Sequence, residues 1–362
     1  MKKIEGLQRG MGIGGWLTNY KRFNVLPGDK RMDITVGDLE HFDTYITERD
    51  VAYIASLGMD HIRIGFDQIV LEESPYVYRK RILEILHDFV GWCKDYGLRV
   101  VFNLHKAIGN YCDILEEKGL MQDEELQNRF VALWVKLEEE FANEPDIIFE
   151  LLNEVVNSTS DEWNKVAEKT IKAIRKLNPT RLLVVGGTEW NNPPALPGVK
   201  VYDDENIIYT FHCYAPNEFT HQRGVLQWAP LYYNRKMPYP CDDIERYKDY
   251  YRAHGWQEPY AKYERMDIEY LCDYLAPAFD FIKQHPDKVL WCGEFGTIRH
   301  ADIEWRENWM RDMITLLKEH DIPYCVWNYL STPNDGNRFS LVDDDKREIL
   351  SDELLRIIRG EV

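Results

Sequence analysis

Eight short apolar runs recur along the chain, at residues 11–17, 61–66, 99–105, 147–154, 182–187, 207–214, 288–295 and 324–330. Near-continuous apolar runs of this length suit strands buried on both faces. Between them, apolar residues return every three or four positions, which predicts amphipathic helices over 47–57, 78–96, 123–142, 160–177, 268–285 and 302–320. Asp123 and Ser160 are placed to cap two of these helices, and Gly58 and Gly97 to follow the ends of two others. The helix expected after the fifth strand is weakened by Pro193, Pro194 and Pro197. Strand–helix alternation predicts a parallel α/β fold, and eight units over this length predict a (β/α)₈ TIM barrel, read as a single domain over 1–362.

One connection breaks the rhythm. Residues 215–267 hold no clear strand, and long loops in compact domains usually carry function. Eleven of these 53 residues are aromatic, against 13% for the whole chain. Most of those rings are expected to build a small core of their own, and a few to line a binding surface, because flat rings with polar edges match the faces of sugars. Trp228 is the expected stacking residue. A second insertion, residues 24–40, lengthens the first strand–helix loop.

Charge narrows the partners. With 44 basic and 62 acidic side chains the net charge is −18, which argues against nucleic acid and anionic membranes. No run is apolar for the roughly 18 residues of a membrane span. The first residues lack an apolar signal core, and the seven cysteines are odd in number and form no Cys-x-x-Cys pair. The expectation is a reduced, cytoplasmic protein, with oligomeric state left open.

Several motifs fall away on inspection. Gly10, Gly12 and Gly15 spell G-x-G-x-x-G, but no strand precedes them and no helix follows, so they read as a tight glycine-rich first strand and not as a dinucleotide site. There is no G-x-S-x-G elbow, no His-x-His and no His-Glu-x-x-His. No metal and no cofactor is expected.

What remains is a set of polar residues closing apolar strands. Arg63 lies within His-Ile-Arg-Ile-Gly-Phe, and His105 closes Val-Val-Phe-Asn-Leu-His. Asn153 and Glu154 close the fourth run, His212 and Tyr214 the sixth, and Glu294 the seventh; Trp327 lies in the eighth. In a barrel the C-terminal strand ends converge on one mouth. Any one of these residues is most simply a paired buried polar group. Two carboxyls, a basic escort and aromatic floors together point to glycosidic bond cleavage.

With those residues in place, the chain resembles glycoside hydrolase family 5, in clan A of the retaining barrel hydrolases. The family pattern of Arg, His, Asn-Glu, His-x-Tyr, Glu and Trp is matched from Arg63 to Trp327. Within the family it is similar to the endoglucanase C type, through residues 41–48, 149–153, 219–222 and 292–296. Val155 departs from the family, which usually has Pro after Asn-Glu. The resemblance implies that Glu294 is the nucleophile and Glu154 the general acid/base. It also implies that Arg63 holds Glu294 ionised, that Asn153 binds the sugar 2-hydroxyl and that Tyr214 donates to Glu294. His212 and His105 would orient the acid and the sugar, and Trp327 would form the floor.

Three activities follow as expectations. The first is endo-acting hydrolysis of β-1,4-linked or mixed-linkage β-glucan. The second is the same chemistry from chain ends, as a β-glucosidase or exo-glucanase. The third is a barrel that binds glycans without cleaving them, which the retained carboxyl pair disfavours.

Overall fold

Each of the eight apolar runs forms a strand. In the computed structural model, which describes residues 2–18, 36–111, 119–224, 235–253, 255–332 and 337–362, the barrel strands are β1 (Arg9–Leu17), β2 (His61–Asp67), β3 (Arg99–Lys106), β4 (Ile147–Glu150), β5 (Leu183–Val185), β6 (Ile207–Cys213), β7 (Val289–Phe295) and β8 (Tyr324–Val326). Each pairs in parallel with its neighbours in sequence, and β1 closes on β8. The (β/α)₈ barrel is therefore complete.

The predicted helices form over Glu48–Ser56, Lys80–Asp95, Glu124–Glu140, Ser160–Leu177, Ile268–Gln284 and Ile303–Glu319. Asp123 caps its helix by accepting from the amides of Glu125 and Leu126. Gly58 and Gly97 follow their helices with φ of +83° and +70°, a conformation glycine adopts without strain. Ser160 is not a cap. Thr159 takes that place, its hydroxyl accepting from Glu162 N while the Glu162 carboxylate accepts from Thr159 N at 2.9 Å. The prolines after β5 leave only 3₁₀ turns, over Glu189–Asn191 and Pro193–Gly198. The insertion contributes short helices at Asn217–Thr220 and Glu245–Ala253.

Burial splits into two layers. The larger core lies between strands and helices and takes the alternate residues Ile62, Ile64 and Phe66 of β2 and Leu290 and Cys292 of β7. A smaller one fills the base of the lumen with Val101, Ile148, Val184, Ile208, Val289, Trp291 and Cys325, capped from below by Leu7. Period-two alternation then sends Arg63, Asn103, Glu150, Thr210 and His212 up the same lumen, and all five are buried. An apolar plug thus carries a polar storey above it, and that storey is where the strand ends meet.

Candidate active site

Two departures from strand regularity aim the carboxyls. On β7 the lumen residues are Val289 and Trp291, so simple alternation would send Glu294 outward with Leu290 and Cys292. Instead β7 carries one extra residue: Phe211 and His212 of β6 face Cys292 and Glu294, and Tyr324 and Val326 of β8 face Cys292 and Phe295. This bulge turns Glu294 into the lumen. It occurs beside Gly293, where a Cβ would lie 2.6 Å from the Thr210 hydroxyl. On β4 the ladder stops at Glu150, four residues short of the expected end at 154. The early stop is functional, because consecutive residues of a strand face opposite ways. Released from the strand, Asn153 and Glu154 both reach the mouth. Asn110 fixes the turn, donating to the Glu154 carbonyl at 2.8 Å and accepting from Val156 N at 3.2 Å.

Arg63 organises the floor and is fully buried. Its Nε and Nη2 donate to Glu150 at 2.6 and 2.8 Å, its Nη1 to Glu294 at 2.8 Å, and its Nη2 to Asn153 Oδ1 at 2.6 Å. The sequence had offered Arg63, Asn153 and Glu294, but not Glu150. Its signal was present as a lone carboxylate within Ile-Ile-Phe-Glu-Leu-Leu, a position a charge occupies only when paired.

His212 joins the two carboxyls of the mouth. Its Nδ1 lies 3.0 Å from Glu154 Oε1 and 3.3 Å from Glu294 Oε2. One oxygen of each glutamate and this nitrogen all fall within 4.8 Å of one another. Burial, together with the nearby Arg63, holds the His212 imidazole well below its usual range and hence neutral. With its proton on Nδ1 it donates to Glu154. Tyr214 O–H donates to Glu294 Oε2 at 3.4 Å, and burial beside Glu294 and Glu154 keeps that phenol protonated.

Arg63 favours the ionised form of Glu294, as expected, but does not outweigh burial. Burial is the largest influence on Glu294 and pushes its carboxyl up; Arg63 pulls down and Glu150 pushes up again, leaving it at about 7. The arginine's charge is divided between two carboxylates, and desolvation wins.

Trp327 lies over β1. A Cβ on Gly12 would sit 2.7 Å from its ring, and one on Gly14 only 2.5 Å. Gly12 and Gly14 are the bed of the indole, which no larger residue at either position would leave in place. The His105 ring stacks on Trp327 at 5.6 Å and 7°, with its Nδ1 3.1 Å from Asn103 Oδ1. The structure thus gathers all eight candidates, Arg63, His105, Asn153, Glu154, His212, Tyr214, Glu294 and Trp327, at one end of the lumen. His61 and His87 lie apart, His61 buried on Asp60 and His87 half-exposed on Glu140.

Among the described residues of the 215–267 insertion, Tyr247 and Tyr251 meet Tyr260 edge-on at 5.9 and 5.6 Å, and Tyr270 of the following helix meets it at 5.2 Å. A cavity of about 350 Å³ opens beside them, lined by Tyr251, Tyr260, Tyr263, Tyr270 and Tyr274. Trp228 and residues 24–35 of the first insertion lie outside the described residues.

Comparison with known proteins agrees with this arrangement. The family model for cellulase (glycosyl hydrolase family 5) matches residues 28–332. Endoglucanase C of Acetivibrio thermocellus is 36% identical over 354 residues, 96% of this chain and 97% of that protein. Cellodextrinase A of Ruminococcus flavefaciens is 26% identical, over 89% and 85%. Among solved structures, a hyperthermophilic endo-beta-1,4-glucanase in complex with substrate superposes with a TM-score of 0.72 at 22% identity, over 98% of this chain and 97% of that one.

Proposed function

The chain belongs to glycosyl hydrolase family 5 and is a glycoside hydrolase, and from that premise we propose that it is a retaining, endo-acting β-glucanase cleaving β-1,4-linked or mixed-linkage β-1,3-1,4-glucan. The observation that carries the mechanism is the closeness of the two carboxyls, each with an oxygen within 4.8 Å of the other's. Retention needs about 5–5.5 Å between them, whereas inversion needs about 6.5–9.5 Å to admit a water.

In this reading Glu294, ionised and held by Arg63 and Tyr214, attacks the anomeric carbon. The C–O bond to the leaving sugar breaks as Glu154 gives its proton to that oxygen. Glu154, now a base, takes a proton from water, which attacks the glycosyl-enzyme ester and frees Glu294. Asn153, fixed by Arg63, bonds the 2-hydroxyl, a contact that strengthens in the transition state. His212 passes no net charge; it holds Glu154 beside Glu294. Trp327 and His105 present a flat apolar floor to the reacting ring. Endo action is supported by the likeness to endoglucanase C along nearly the full length of both chains.

One set of assays tests the reading. On mixed-linkage glucan the wild type should lower viscosity steeply per bond broken, releasing oligosaccharides of several sizes. Glu294→Gln should lose both glucan and aryl-cellobioside activity, by about 10⁴-fold or more. Glu154→Gln should lose about 10²–10⁴-fold on glucan but still form the glycosyl-enzyme from an aryl cellobioside, whose leaving group needs little protonation. Early glucose with viscosity almost unchanged overturns endo action, and equal residual activity of the two variants overturns the assignment.

A further inference from the structure

We propose that Glu150, which touches neither of the two glutamates assigned to the chemistry, is a positioning residue that sets the working pH of the site by holding and partly neutralising Arg63. The inference rests on the reading of Glu294 as nucleophile and deepens it.

The geometry is specific. Glu150 takes the side of the guanidinium, Nε and Nη2, with both its oxygens. A bidentate pair of this kind fixes the plane of the arginine. Held so, Arg63 has Nη1 left for Glu294 and shares Nη2 with Asn153. The orientation of the nucleophile and of Asn153 therefore descends from Glu150 through one side chain. Both Glu150 and Arg63 are wholly buried, so neither can exchange its partner for water.

The charge has a second consequence. Arg63 presents one positive charge to two buried carboxylates, and the more of it Glu150 claims, the less remains to favour ionised Glu294. The other groups facing Glu294 include a second carboxyl, Glu154, with an oxygen within 4.8 Å of it. His212 from β6 and Tyr214 just beyond its end carry no charge at neutral pH. Cys292 on its own strand and Cys325 on β8 are thiols that burial keeps protonated. Glu154 shares the His212 contact, and His105 lies on Trp327, whose ring centre is 6.0 Å from the guanidinium carbon of Arg63. Of these, Glu150 is the group whose charge is set directly against that of Arg63. Burial and Glu150 together keep Glu294 at about 7 in spite of the arginine. A buried nucleophile of this kind ionises only near neutrality, and the acid limb of kcat/KM should report it.

Glu150→Gln keeps the size of the side chain and one acceptor, and removes the charge. Measured with an aryl cellobioside, its acid limb of kcat/KM should move to lower pH by about one unit, with kcat on the plateau within about tenfold of wild type. A merely structural role would lower kcat or the melting temperature and leave the limb where it was. A limb that stays within a few tenths of a unit of wild type overturns the proposal. Glu150→Asp provides the control and, should Glu150→Gln not fold, the test. It keeps the charge but draws it back by one methylene, so the limb should stay near its wild-type position while kcat falls; a limb that moves down with Glu150→Asp overturns the charge argument. Trapping with a 2-deoxy-2-fluoro cellobioside separates the two levels. Label on a residue other than Glu294 defeats the nucleophile assignment itself, whereas label on Glu294 with an unmoved limb defeats only the role given to Glu150.

Discussion

Two buried carboxyls, Glu294 in the barrel mouth and Glu218 in the inserted segment, reach the same position on the pH scale by different routes. Burial is the largest influence on each and pushes each to about 7. Glu294 meets Arg63 at 2.8 Å, with Glu150 on the other side of the guanidinium. Glu218 meets phenols: Tyr260 O–H lies 2.9 and 3.0 Å from its two oxygens, and Tyr251 also bonds to it. A raised carboxyl is thus not in itself the mark of a catalytic group. What separates the two is the surroundings. Glu294 lies beside a second carboxyl, a neutral imidazole and a cation that can stabilise its ionised form. Glu218 lies under a lattice of tyrosine rings, where the neutral acid is the form the fold prefers.

The strongest way to break that distinction is Arg63→Met. It leaves Glu150 and Glu294 buried without their cation, and should cost about 3–5 kcal/mol at pH 8. The loss should be smaller at pH 5, where Glu294 takes up a proton, and glucan hydrolysis should fall by about 10³-fold. Chemical denaturation at the two pH values, with rates on glucan, checks both; a variant of wild-type stability at pH 8 would show that the arginine does not hold the mouth together.

Glu218→Gln probes the other carboxyl. Its folded pKa lies above the ordinary 4.5, so its contribution to stability is fully present below about pH 4.5 and is lost as pH rises through about 7. The amide does not titrate. The variant should therefore be more stable than wild type at pH 8 by up to about 3 kcal/mol and show a flatter stability profile between pH 4.5 and 8, with glucan activity unchanged. Parallel profiles for the two proteins would refute it.

The smallest change sharpens the same contrast. Tyr260→Phe removes the donor shared by the two Glu218 oxygens and should cost about 1 kcal/mol, more at pH 8 than at pH 5, because the ionised form loses most. Equal losses at both pH values would mean that the hydroxyl serves packing alone.

How much of this was legible in the sequence follows from which interactions are local. Strand order, the barrel and its helices come from periodicity, because burial on both faces of a parallel strand leaves an apolar run that needs no partner to be recognised. Gly58, Gly97 and Asp123 were readable for a similar reason, since end chemistry acts within a few residues. So were the seven polar groups of the mouth, each of which interrupts or closes an apolar run. Thr159 was missed by one residue, within the ordinary ambiguity of helix ends.

Tertiary structure alone decided what those residues do to each other. Alternation by itself would turn Glu294 out of the lumen, and only the extra residue in β7, felt against both β6 and β8, turns it in. A strand through residue 154 would split Asn153 from Glu154, and only the end of the ladder at Glu150 lets both face the substrate space. Gly12, one of the glycines that spell a nucleotide motif, forms with Gly14 the bed of Trp327, more than 300 residues away in sequence. Glu150 reads as one more strand residue until Arg63 is folded against it. A sequence records which side chains are polar and which positions are buried. Whether a buried charge is compensated, and by which partner, depends on distances across the lumen that no single strand contains.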